Sequence, residues 1–143
     1  VVDNNGSLSG PLPVQVVPIA PGIFTYGNNR AVVVNADNSV NAAGNGALRG
    51  SVMSVYMTGQ GTVTPAVATG AAAPSDPLAL APFATKAWIG GAPAQVLFVG
   101  LTPGLVGVLQ INLVVPYAAP SGDSPLVINI GGWTSNTPTV SVQ

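Results

Sequence analysis

The sequence contains no cysteine, no histidine and no glutamate. That removes the thiol nucleophile, the imidazole base and the commonest transition-metal ligands. No catalytic centre, no cofactor and no tightly bound metal are therefore expected. Charge is also scarce: three Lys or Arg against four acidic residues in 143, a net −1, with charged residues only 5% of the chain. A typical soluble domain carries about 25%. Three cations cannot neutralise a phosphate backbone, which excludes nucleic acid as a partner, and a basic membrane-surface helix falls by the same count. Long apolar runs are missing too. The uncharged stretches Ser51–Ser75 and Ala87–Gly122 are broken by Gly and Pro. Neither supplies the roughly 18 continuous apolar residues of a transmembrane helix, so no membrane span is expected. The absence of cysteine does not mark a compartment. The chain opens Val1-Val2-Asp3, without Met or a signal peptide, and is expected to be a processed form or a fragment.

What is present reads as β-structure. Hydrophobic residues make up 48%, with 18 Gly and 14 Pro as punctuation. The apolar runs are short, β-branched and bounded by Gly, Pro, Asn or Ser. Strands are expected at Leu12–Val17, Ala31–Asn35, Val52–Thr58, Lys86–Ile89, Gln95–Val99, Val106–Val115, Leu126–Ile130 and Thr139–Val142. Met53, Val55 and Met57 alternate with polar neighbours, as do Leu109, Ile111 and Leu113. The expected core is Met53, Val55, Leu97, Leu109, Ile111, Leu113 and Ile128. Gly90-Gly91 and Gly131-Gly132 stand where two-residue hairpin turns belong. Gly59–Pro82 lacks alternation and reads as a long ordered loop or a crossing between two sheets, and Asn35–Gly50 as a second loop. The fold class expected is all-β, an immunoglobulin-like β-sandwich over 18–143, preceded by an N-terminal hairpin or strand extension over 1–17.

The two ends of the chain resemble one another. Aligned without gaps, the segment from Val2 to Val16 places Gly6 on Gly132, Ser9 on Ser135, Val14 on Val140 and Val16 on Val142. The physical reading is that the chain is expected to open with the closing hairpin of a domain whose other strands are missing. A lone two-stranded hairpin is marginal in water, so this one is expected to dock on something.

Several further motifs run along the chain: Val17-Pro18-Ile19-Ala20-Pro21-Gly22-Ile23-Phe24-Thr25-Tyr26, Ala31–Asn35, Gly59-Gln60-Gly61, Ile89–Phe98, Gly100-Leu101-Thr102-Pro103-Gly104 and Gln110–Pro116. In these the chain resembles the C-terminal domain family of acidobacterial (Solibacter-type) secreted proteins, over nearly its whole length. The resemblance implies two successive immunoglobulin-like (IPT/TIG-like) halves, of which this chain would hold the second and the last hairpin of the first. It implies an extracellular β-module, and it carries no catalytic residues.

Isolated motifs have plain structural explanations. Gly122-Asp123-Ser124 has the letters of an esterase block, but a serine nucleophile needs a base and no histidine exists, so a turn before a strand is expected. Lys86, the sole lysine, could serve in a Ser–Lys pair or an isopeptide bond. An S-x-x-K arrangement is absent, and the expected reading over isopeptide chemistry is a solvated edge-strand lysine that blocks aggregation. Asn35, Asp37, Ser39 and Asn41 place oxygens at alternate positions, as a calcium loop does, but without the bidentate acid and central glycine they read as a polar turn. Asn5-Gly6-Ser7 is a glycosylation sequon and, first of all, a hairpin turn. Trp88 and Trp133 could stack on sugars, but packing is the expected role of both.

The functional expectation is a non-enzymatic extracellular or cell-surface structural module. It would be a homo-oligomer or polymer, a filament subunit assembled by N-terminal strand donation, with Leu12, Val14 and Val16 forming the interface. The alternative from a different class is a carbohydrate- or surface-binding accessory domain of a larger secreted protein.

Overall fold

A computed structural model describes residues 1–143. It contains no helix, so none is long and apolar enough to cross a membrane. The strands are β1 Asp3–Asn4, β2 Ser7–Leu8, β3 Gly22–Ile23, β4 Thr25–Tyr26, β5 Arg30–Ala31, β6 Val33–Val34, β7 Val52–Thr58, β8 Thr85–Ile89, β9 Ala92–Leu101, β10 Leu109–Val114, β11 Gly122–Ile130, β12 Trp133–Thr134 and β13 Thr139–Val142.

Alternation builds the centre. In the antiparallel pair β7–β10, Met57 faces Leu109, Val55 faces Ile111 and Met53 faces Leu113, and all six are buried. The intervening positions turn outward, where the Ser54 hydroxyl donates to Asn112 Oδ1 at 3.0 Å and Gln110 Nε2 donates to the same oxygen at 2.9 Å. A pleat with one apolar row and one polar row can lie only one way up, and this fixes the register.

Two hairpins follow the glycine pairs. Gly90-Gly91 joins β8 to β9, and Gly131-Gly132 joins β11 to β12. Each pair holds two consecutive positive φ angles, 58° and 82° in the first and 57° and 93° in the second. That is the turn whose twist matches the flanking strands.

The main ladder runs β3–β7–β10–β9–β8–β11–β13–β5–β4, with β6 also on β7 and β12 on β11. Its terminal strands β3 and β4 are consecutive in sequence, separated by Phe24 alone. One short stretch of chain therefore touches both ends of the ladder, and the sheet nearly closes into a barrel. Twenty buried residues fill the interior. The connection from β7 to β8 pairs with the sheet through isolated bridges, Thr64 with Leu80, Leu80 with Gly100 and Ala73 with Pro103, over a small second cluster of Ala73, Ala79 and Leu101.

The all-β class and six of the seven expected core residues hold. Leu97 does not: it is 52% exposed. Against β10, Val96 pairs with Leu113 and Phe98 with Asn112, so Leu97 is an extra residue in a β-bulge. The bulge reverses the phase, turning Val96 and Val99 toward the core. Leu12–Val17 forms no strand, because no other strand of this chain lies beside it. The expected Val106–Val115 strand begins only at Leu109, since Gly104 and Gly107 at φ 78° and 67° shape a turn before it. Lys86 is exposed, but β8 lies between β9 and β11, so it is not on an edge strand.

Candidate functional site

The N-terminal hairpin reproduces the local turn and serine bonds of the closing hairpin. In the first hairpin Asn5 and Gly6 take φ 51° and 83°, matching the Gly131-Gly132 turn. The Gly6 N–H donates to Asp3 Oδ1 at 2.8 Å, as the Gly132 N–H donates to Asn129 Oδ1 at 3.1 Å. The Val2 N–H donates to Ser9 Oγ at 2.9 Å, as the Ile128 N–H donates to Ser135 Oγ at 3.1 Å. The Ser9 N–H returns to the Val2 carbonyl at 2.9 Å, as the Ser135 N–H returns to Ile128 at 2.8 Å. Finally the Ser9 hydroxyl donates to the Gly10 carbonyl at 3.1 Å, as that of Ser135 donates to Asn136 at 2.7 Å. Each correspondence falls on the ungapped alignment of Val2 with Ile128, so sequence likeness and local structure agree.

The two segments differ in what covers them. Val140 and Val142 are buried in β13, whereas Leu12, Val14 and Val16 are 77%, 76% and 90% exposed. The three expected interface residues therefore stand as an apolar row with no sheet of this chain against it.

The slot that holds β13 shows what such a segment requires. On one side it pairs antiparallel with β11, Ser124 opposite Val140 and Gly122 opposite Val142. On the other side only Thr139 pairs with β5. The rest of that edge is met by Asn41, whose Nδ2 donates to the Ser141 carbonyl at 2.9 Å while its Oδ1 accepts from the Ser141 N–H at 2.8 Å. The Ala47 N–H then donates to the Ser141 carbonyl, and the Gln143 N–H to the Ala47 carbonyl, each at 2.9 Å. Asn136 makes a similar amide clasp on Ile23, accepting from its N–H at 2.7 Å and donating to its carbonyl at 3.0 Å.

Charge closes the same slot. Arg30 on β5 reaches Asp123 on β11 at 2.5 Å, and its Nη2 donates to Ser141 Oγ at 2.9 Å. The Ser141 hydroxyl in turn donates to the Asp123 carboxylate. The second arginine, Arg49, donates to the carbonyls of Ala119 and Gln143, both at 2.8 Å, and to Ser121 Oγ at 2.7 Å, holding the last residue in place.

The remaining candidates have local partners. In the polar turn, the Ser39 hydroxyl and N–H donate to Asp37 Oδ1 at 2.6 and 3.0 Å, and Asn41 Nδ2 donates to Asn35 Oδ1 at 3.0 Å. The Ser39 hydroxyl, followed by its N–H, holds the exposed Asp37 carboxyl below its usual range. The side-chain oxygens of Asn35, Asp37 and Asn41 thus each accept from an N–H or O–H of this chain, that of Asn41 from the Ser141 N–H. Ser124 is buried with its hydroxyl toward the Pro120 carbonyl at 3.3 Å. Trp88 is half-buried on β8 and Trp133 is 48% exposed on β12, the two strands lying on either side of β11, where Trp88 is opposite Val127 and Trp133 opposite Ile130.

The residues that hold the slot, Arg30, Asn41 and Asn136, are not legible as a set in the sequence, since each acts across about a hundred positions or more. The only signal is an excess of Asn near strand ends. No family model, curated protein or solved structure matches the chain.

Proposed function

We propose that the chain is a non-enzymatic structural module, an extracellular immunoglobulin-like β-sandwich. It is the subunit of a filament in which Val1–Val17 of one copy donates its strand to the sandwich of the next. The observation that carries this reading is the exposed apolar row Leu12, Val14 and Val16 following a formed hairpin. Three large aliphatic side chains in water forfeit about 1.5–3 kcal/mol each relative to burial, so a covering surface is strongly favoured. Scarce charge supports the same reading, because little electrostatic repulsion opposes contact between copies. The resemblance to secreted acidobacterial domains supports the extracellular setting. Donation from one copy to the next is heterologous, and a repeated heterologous contact that does not close gives a filament.

The test compares the whole chain with one lacking Val1–Val17, each heated and cooled at high protein concentration, by light scattering over a concentration series and by negative-stain microscopy. Growth of filaments from the whole chain alone is the expected result. Equal behaviour of the two, or a whole chain that stays monomeric at high concentration, overturns the reading.

A further inference from the structure

We infer that the receiving site for Val1–Val17 is the β13 slot of a second copy, between its β11 and the Arg30–Asn41 side, with Val14 and Val16 taking the places of Val140 and Val142. This rests on the reading of Val1–Val17 as a donor segment and adds where it goes and in which register. Two observations carry it. The nearly closed ladder presents no long free edge for an added strand. The donor segment is also a replica of the one that fills the slot, in its hairpin turn, in its serine clasp and in its Val-x-Val pair. A strand built to this template finds its complement in the surface shaped around the template.

The register follows from the resident pairing. With Val142 opposite Gly122, Ser141 opposite Asp123 and Val140 opposite Ser124, the donor sets Val16 against Gly122, Gln15 against Asp123 and Val14 against Ser124 of the receiving copy. The chemistry at the middle position is retained. The Gln15 carboxamide oxygen can accept from Arg30 while its NH₂ donates to Asp123, the two groups that the Ser141 hydroxyl bridges in the resident arrangement.

Two departures set the order of events. Pro13 stands where Thr139 donates its N–H to the Asn29 carbonyl at 3.0 Å, and Gly10 stands where Asn136 clasps Ile23. The donor therefore makes fewer bonds than the resident segment and does not expel it from an intact copy. The slot accepts a donor only once the resident β13 has left, so seating Val14 and Val16 exposes Val140 and Val142 in exchange, and heating and cooling at high protein concentration is required for it.

The chain has no cysteine of its own, which allows a clean trap. The whole chain carrying Gln15→Cys and Asp123→Cys is heated, cooled at high concentration and oxidised, beside a control carrying Gln15→Cys and Lys86→Cys. The expected result is a ladder of disulfide-linked species from the 15/123 pair, at least about tenfold more abundant than from the control. No ladder, or equal ladders, overturns the assignment. A second measurement tests the fit directly. Thr139→Pro, Ser141→Gln and Gln143→Val together write the donor strand into the resident position, and that chain should keep slow amide exchange at Ile111 and Leu113. A chain left unfolded by these changes also overturns the assignment. Light scattering of the natural chain tests the filament independently. Filaments without the 15/123 ladder reject the slot alone, and a ladder without filaments rejects the filament alone.

Discussion

Asn41 stands beside Ser141 as a neighbouring strand would, its carboxamide both accepting from the Ser141 N–H and donating to the Ser141 carbonyl. Both residues are buried. Asn41→Leu removes both partners at once and leaves a buried N–H unpaired, with the Ser141 carbonyl reduced to its bond from Ala47. The expected loss is about 2–4 kcal/mol in urea unfolding. Asn41→Asp keeps the acceptor but turns an anion toward the Ser141 carbonyl, and is also expected to be destabilising. Wild-type stability in the Leu variant would mean that water replaces the amide.

Ile111 and Leu97 form a contrasting pair. Ile111→Ala opens a cavity beneath Val55 and Val99 and should cost roughly 2–5 kcal/mol. Leu97→Ser acts on a bulged, half-exposed residue and should cost under about 0.5 kcal/mol. Equal costs would place Leu97 in the core and contradict the bulge.

The same pair marks how far the sequence could be read. Alternation located β7 and β13 to the residue and placed Met53, Val55, Leu109, Ile111 and Leu113 correctly, because a pleat has only two faces. It failed at Leu97 because a bulge inserts one residue without any local signal in an apolar run. The replica of the closing hairpin was visible as scattered identities from Gly6 to Val16, but its hydrogen bonds were not. The strand expected at Leu12–Val17 does not form, for a related reason. Apolar alternation reports the capacity to pair, and pairing needs a neighbour.

Gly59 is fixed by close approach. It adopts φ +83°, and a Cβ there would lie 1.8 Å from the Ala20 carbonyl oxygen. The same contact carries the bond from the Ala20 N–H to the Gly59 carbonyl at 2.9 Å. Gly59→Ala should therefore cost more than about 1 kcal/mol and lower the melting temperature. Gly70→Ala, at a similar φ but with open space around it, should cost less. Equal costs would show that backbone conformation, not the Ala20 contact, governs both sites.

Asp37 gives the Asn35–Gly50 loop a dependence on pH. Its carboxyl is held below the ordinary range by the Ser39 hydroxyl and N–H. A folded pKa below the unfolded one stabilises fully above the unfolded value, near about 4, and the effect is lost as pH falls through the folded value. Protection of the Ser39 amide, taken as its exchange relative to the intrinsic rate at each pH, should fall over that acid range. In Asp37→Asn that step should vanish, and its persistence would assign the transition to another group.

The position of β13 also has a mechanical meaning. Its Ser141 and Gln143 bonds on one side and its β11 ladder on the other all lie across the direction in which the C-terminus leads away. A tension carried along the chain to Gln143 pulls β13 lengthwise between its neighbours. The bonds are then loaded together in shear, and rupture requires several to fail at once. A hairpin opened from its turn would instead surrender them singly. A strand held this way yields late and abruptly under load.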